Sequence, residues 1–245
     1  MLVLNRRLAE GFMRLHPGTS IEVRGGGSSV GVEALVAGTI DICAASRPLA
    51  PSEVEALYGR SGTLGVRFVV AEDALSIYLN RDNPIHDLSL DQLAGLFDGT
   101  VTRWSEVGGA DGAVEVVLRP PSSGTFRFFQ DHVLKGRPYG VAAVTAASTN
   151  DVVQAVSSRP GAIGFGGLAY GHDLVVHCAI EGVAPSVEAV RSGRYRLARY
   201  LQLYTAAPPR GLVRDFIEWC LGRDGQAIVS EVGYLPLWER RRDAG

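Results

Sequence analysis

The chain lacks any run of about 18 apolar residues, so no membrane-spanning helix is predicted. It also lacks a surplus of either charge. Its 24 basic and 26 acidic residues leave a formal net charge of -2, which offers no electrostatic footprint for nucleic acid or an anionic membrane. The one basic strip, Glu239-Arg240-Arg241-Arg242-Asp243, reads as a solvated tail. Cysteine is scarce. Cys43, Cys178 and Cys220 are odd in number and far apart, which excludes a disulfide framework and any zinc-ligand spacing. Cys43, inside Ile40 to Ala45, is expected to serve as a small buried apolar residue, and a Cys178–Cys220 pairing stays open. His172, His177 and Cys178 have no fourth ligand at a useful spacing, so no metal and no cofactor are expected. No Gly-Lys-Ser/Thr follows a glycine loop, which removes the Walker nucleotide site, and the G-x-G-x-x-G spacing is missed. The chain does not open with a charged segment followed by an apolar one, and so shows no signal peptide. Taken literally, that opening points to a cytoplasmic chain.

Helices, strands and glycine loops are plentiful. At 245 residues the chain is long enough for one or two domains with substantial cores. Leu4, Leu8, Phe12 and Leu15 recur at helical spacing and predict an amphipathic helix stopped by Pro17-Gly18. Ile21 to Val23 predicts a short strand, Val32 to Ala37 a helix and Thr39 to Ala45 a strand. Pro51 then starts a further helix. This alternation is the order of a parallel α/β sheet, whose ligands sit beyond the carboxyl ends of the strands. Val66 to Val70 and Ala74 to Leu79 predict two strands separated by Glu72-Asp73, and Leu90 to Leu96 a helix broken by Gly99. Ser148 to Asp151 predicts a helix cap, Pro160 to Gly167 a turn into a glycine-rich strand, and Tyr195 to Tyr204 a long alternating segment. Leu212 to Leu221 predicts a last amphipathic helix, followed by another helical stretch to Val232. No internal repeat or low-complexity linker occurs, so any second domain is joined by crossing strands.

Three loops carry candidate chemistry. In the first, Gly25-Gly26-Gly27-Ser28-Ser29-Val30-Gly31, glycines let the backbone approach an anion while serines donate hydroxyls. The same residues formally match the G-x-S-x-G elbow of a serine hydrolase at Ser29, with Asp173 and His177 available as partners. The second is Ser46-Arg47-Pro48, placed just after a strand. The third follows the apolar strand Val114 to Leu118. There Pro120-Pro121 ends the ladder, Ser122 or Ser123 caps a helix starting near Gly124, and Arg119 and Thr125 flank the cap. Unpaired helix amides beside an arginine and hydroxyls make an anion site. Read blandly, Arg47 and Arg119 are surface ion-pair formers and the third loop is a capped helix.

Taken together, these motifs resemble the periplasmic phosphate-binding proteins of bacterial ABC phosphate transporters. The resemblance runs through Gly25 to Gly31 with Leu35 to Ile42, Ser46 to Leu49, Leu88 to Phe97 with Trp104 to Gly109, Arg119 with Ser123-Gly124-Thr125, Gly161 to Phe165, and Gly233 to Leu237. It implies a two-lobed type II binding-protein fold, each lobe a central sheet flanked by helices, with the ligand cleft between lobes and two crossover strands as hinge. Lobe 1 would be residues 1–77 with 172–245, and lobe 2 residues 78–171. It further implies that Ser28, Ser46, Arg119, Ser123, Gly124 and Thr125 hold inorganic phosphate or a similar oxyanion, which is then handed to a membrane ABC permease without chemistry. Such a protein would be a monomer, periplasmic or lipid-anchored outside the cell in its full-length form. Family members usually begin with a further strand and a Ser/Thr loop, which would fall just before Met1. Some carry aspartate where this chain has Ser46, and often an acid near Pro121. The alternatives are a ligand sensor or interaction module that no longer transports, and the Ser29 hydrolase.

Overall fold

The computed structural model describes residues 1–140 and 143–238, so the basic strip at Glu239 to Asp243 lies outside the described residues. In chain order the elements are α1 (Leu2–Leu15), α2 (Ser28–Ala37), β1 (Cys43–Ala45), α3 (Pro51–Ser61), β2 (Val66–Leu79), β3 (Asp87–Leu88), α4 (Leu90–Asp98), a 3-10 turn at Trp104–Val107, β4 (Glu115–Leu118), α5 (Gly124–His132) and β5 (Val144–Thr145). There follow α6 (Thr149–Ser157), β6 (Ala162–Gly167), β7 (Val176–Ile180), α7 (Val187–Arg191), β8 (Ala198–Thr205), α8 (Gly211–Leu221) and α9 (Arg223–Glu231). The chain divides into two compact units, Met1–Glu72 with Tyr200 onward, and Asp73–Arg199. It passes between them inside β2 and inside β8. These bounds differ from those expected near residues 77 and 172. The physical reason is pairing: β7 ladders with β2 at Ile77 to Leu79, and the Leu75 amide donates to the Leu197 carbonyl at 2.8 Å, which ties residues 172–199 to the second unit.

In the first unit, the periodicity of α1 buries Leu4, Leu8 and Phe12, while Leu15 stays exposed. Phe12 meets Phe216 and Trp219 of α8 edge-on at 5.3 and 5.8 Å. At Gly11 an added Cβ would come within 2.7 Å of Ile228 and Trp219, so the close approach of α1 to α8 and α9 needs that glycine. β1 pairs antiparallel with β8, Cys43 opposite Tyr204, so the parallel pairing expected of this third of the chain is not formed. Ile21 to Val23, expected as a strand, carries no secondary structure, because a strand is defined by a ladder partner and none of the described strands supplies one. A core of Val32, Leu35, Cys43, Ala45, Leu57 and Tyr204 joins α2, α3 and this ladder. Burial pushes the Cys43 thiol up to about 12, which suits the small apolar role. All three cysteines are buried free thiols.

The second unit is mixed. Here β2 pairs antiparallel with β6 and β7, while β4 lies parallel to β6 and β5, and β3 parallel to β7. The expected break at Glu72-Asp73 does not occur, and β2 runs unbroken for 14 residues. The glycine-rich strand β6 is buried throughout. Its glycines bring α6 close: a Cβ at Gly164 would lie 2.6 Å from Val152, and one at Gly166 would lie 2.5 Å from Thr149. Phe129 of α5 stacks on Phe165 of β6 at 4.2 Å and leans on Phe97 of α4 at 4.5 Å, so the apolar side of α5 is fixed and its N-terminus is held in place.

Candidate functional site

In the first unit, α2 starts at Ser28, earlier than the sequence pattern alone suggests. Gly26 and Gly27 adopt φ of 132° and 105°, a region that residues with a Cβ rarely adopt. Among the described residues no side chain caps this helix, which leaves its first-turn amides open to an outside acceptor. An added Cβ at Gly31 would come within 3.0 Å of the Cys43 sulfur, and this close packing of α2 on β1 delivers the loop after β1 to the helix start. There the Ser46 amide donates to Ser28 Oγ at 3.2 Å, with both serines buried. Ser28 and Ser46 are therefore brought together, as the sequence suggested.

Arg47 has a different role. Its guanidinium grips both Glu53 carboxylate oxygens at 2.6 and 2.7 Å and donates to Ser29 Oγ at 3.0 Å. It forms an ion pair, as the bland reading had it, but a buried one. The hydrolase elbow fails on the same geometry. Ser29 lies in the first turn of α2, no strand precedes it, and its hydroxyl faces a cation rather than a base. His177, the candidate base, has Nδ1 engaged with Ser76 Oγ at 2.7 Å.

In the second unit, the loop after β4 behaves as its sequence indicates. Pro120 and Pro121 stop the strand, and the Ser123 amide closes a turn onto the Pro120 carbonyl at 2.9 Å. Ser123 is the N-cap of α5, its Oγ accepting from the Thr125 amide at 3.3 Å. Ser123, Gly124 and Thr125 are all buried in this first turn. Arg119 is held by α6, donating from NH1 to Thr149 Oγ1 at 3.3 Å, while its Nε is buried with no hydrogen-bond partner. Burial holds its guanidinium below the usual arginine value, opposed by Tyr170 and Asp151. Among the described residues no carboxylate forms an ion pair with it. The result is a half-buried cation beside a helix N-terminus, an arrangement that favours an anion.

Sequence reasoning missed three contributors. Thr149 was seen only as part of a cap. Asp73 was read only as part of a break between strands and Arg199 went unnoticed, yet they form a buried pair at 2.7 Å, and Arg199 also donates to Thr125 Oγ1 at 3.0 Å. The available signal was a charged residue inside each of two apolar strands, at positions with no reason to be exposed. Among the described residues no cluster of His, Cys, Asp and Glu could hold a metal ion.

A family model described as a PBP superfamily domain matches residues 3–224. The phosphate-binding protein PstS of Bacillus subtilis is 32% identical over 240 residues, covering 96% of this chain and 78% of that protein. PstS of Pseudomonas aeruginosa is 30% identical, covering 94% and 78%. Among solved structures, a candidate phosphate ABC transporter substrate-binding protein from Clostridium perfringens, with bound phosphate, matches at a TM-score of 0.85 and 27% identity, covering 97% of this chain and 96% of that one. An ABC-type phosphate transport receptor from Vibrio cholerae matches at 0.79 and 28%, covering 96% and 95%. With an α/β fold, a match along nearly its whole length and relatives at this identity, the chain belongs to the PBP superfamily, in the family of the phosphate-binding proteins of bacterial ABC transporters.

Proposed function

We propose that this chain is a solute-binding protein that takes up inorganic phosphate and delivers it to an ABC permease, performing no chemistry on it. The observation that carries the reading is Arg119: a half-buried cation whose Nε is itself buried without a partner, with no ion pair in the described residues. A partly buried charge without a counter-ion is unfavourable, and a phosphate oxygen accepting from the planar guanidinium would offset that cost. Family membership gives the ligand class, since relatives named as phosphate-binding proteins align along 94–96% of the chain.

The groups proposed for the ligand in the second unit are Arg119, the Gly124 and Thr125 amides, and the hydroxyls of Ser123 and Thr125, and those proposed in the first unit are Ser28, Ser46 and the first-turn amides of α2. The hydroxyls of Ser28, Ser123 and Thr125 all have an acceptor position filled, by the Ser46 amide, the Thr125 amide and Arg199 respectively. Each therefore has its O–H left to donate, as an oxyanion requires.

Titration calorimetry with phosphate, sulfate and molybdate tests the reading. Phosphate is expected to bind most tightly, and Arg119→Met to weaken it by about 10- to 100-fold or more, the range for a lost hydrogen bond to a charged group. Absence of phosphate binding would sink the proposal, and tighter sulfate binding would reassign the ligand.

A further inference from the structure

Asp73 and Arg199 stand at the two ends of the second unit, one on β2 and one on β8. They are 126 positions apart in sequence, yet Arg199 Nε and NH2 both donate to Asp73 Oδ2, at 2.9 and 2.7 Å. Both side chains are almost fully buried, at 6% and 1% exposure. Gly167 makes the room, since an added Cβ there would lie 2.9 Å from Asp73 Oδ1. The third arm of the guanidinium, NH1, reaches Thr125 Oγ1 at 3.0 Å. The cation also lies over the Phe128 ring, 5.6 Å from its centroid, one turn further along α5. Arg199 thus braces the first turn of α5 while both of its other nitrogens are committed to Asp73.

A buried ion pair is weak evidence for stability, because desolvation cancels much of the attraction. Its use here follows from the direction of one hydrogen bond. Arginine has donors only, so Thr125 Oγ1 must act as acceptor toward NH1, and the threonine proton is forced to point elsewhere. No described residue accepts it. We propose, building on the phosphate reading above, that Arg199 clamped by Asp73 is a positioning residue. It fixes the Thr125 hydroxyl as a one-way donor to the bound oxyanion and does not itself touch the ligand. A threonine free to rotate would present a lone pair to the anion for part of the time and would pay an ordering cost on binding. The clamp removes both penalties and biases the site toward oxygens that only accept.

The test is a double-mutant cycle on the full chain, read by phosphate calorimetry, with circular dichroism to confirm folding. Thr125→Val is expected to weaken phosphate by roughly 10- to 100-fold, as a lost hydrogen bond to a charged partner does. Arg199→Lys, which keeps a cation for Asp73 but loses the three-armed fork, is expected to weaken it by about tenfold. In the Thr125→Val background the same Arg199→Lys change is expected to cost less than about twofold, because the hydroxyl it positions is gone. Thr125→Ser should restore both the affinity and its sensitivity to residue 199. Equal losses in both backgrounds would show that Arg199 serves only the fold, and no loss in the single variant would equally overturn the proposal. If the lysine variant does not fold, Asp73→Asn combined with Arg199→Met removes both charges and carries the same comparison. Failure of the unaltered chain to bind phosphate would instead overturn the functional reading, whereas phosphate binding with an additive cycle overturns only the clamp.

Discussion

Two arginines that follow strands, Arg47 and Arg119, have different fates at the scale of single residues. Arg47 finds Glu53 six positions on and becomes structural. Among the described residues Arg119 hydrogen-bonds only to Thr149 and stays a cation in want of an anion. The six-residue interval between Arg47 and Glu53 was present in the sequence, but the pairing depends on how the loop after β1 turns into α3. A second residue-scale consequence concerns His177. Burial, with the charge of His172 adding to it, pulls its imidazole from 6.5 down to about 4, so the folded chain holds it neutral while the unfolded chain protonates it more readily. The stability this provides is fully present above about pH 6.5 and is lost as pH falls toward about 4. With solvent screening allowed for, the loss is about 2 kcal/mol. Urea midpoints measured from pH 7 to pH 4 should fall across that window, and His177→Gln should flatten the fall. A midpoint in the native chain that does not change with pH would contradict the assignment.

At the scale of elements, the loop from Arg119 into α5 was the most readable part of the chain. Two prolines, a capping serine and an apolar face determine a strand stop and a helix start through short-range forces, and the structure places each as expected, with Ser123 as the cap. The cap and the proposed ligand contact are the same residue, which allows the two roles to be separated. Ser123→Asp keeps an excellent cap and adds a favourable charge at the positive end of the helix. Thermal stability should hold within about 1 kcal/mol, whereas phosphate affinity should collapse because a carboxylate occupies the anion site. Ser123→Ala should lose about 1 kcal/mol of stability and some affinity together. Retained phosphate binding in Ser123→Asp would refute the contact. The glycines of β6 make a second element-scale case. Gly166→Ala would push a methyl to 2.5 Å from Thr149 Cγ2, and overpacking of this kind typically costs about 1–3 kcal/mol. Because Thr149 holds Arg119, calorimetry on this variant should show phosphate affinity falling as well.

At the scale of the whole molecule, binding of phosphate by the native state alone stabilises the chain through mass action. At a free phosphate concentration of about 100 times Kd the gain is roughly 2.7 kcal/mol, which for a chain of this size is about 5–10 °C in Tm. A melting series in phosphate should show this shift, growing with the logarithm of concentration. A shift that is no larger than the one in matched sulfate would argue against phosphate as the ligand.

The sequence alone determined what local chemistry determines: the helix of Leu4, Leu8 and Phe12, the glycine loop before α2, and the capped start of α5, with the arginine and hydroxyls beside it that are proposed to hold an anion. Those features depend on steric limits, caps and periodicities that span a few residues. Only the tertiary structure decided that β1 pairs antiparallel with β8, that Ile21 to Val23 forms no strand, and that β2 continues through Asp73. Tertiary structure also decided that Asp73 meets Arg199 across 126 positions and turns the Thr125 hydroxyl. Each of these depends on a partner far away in the chain. A ladder or a buried ion pair is stable only when both halves are brought together, and no local propensity records which distant residue will be the other half.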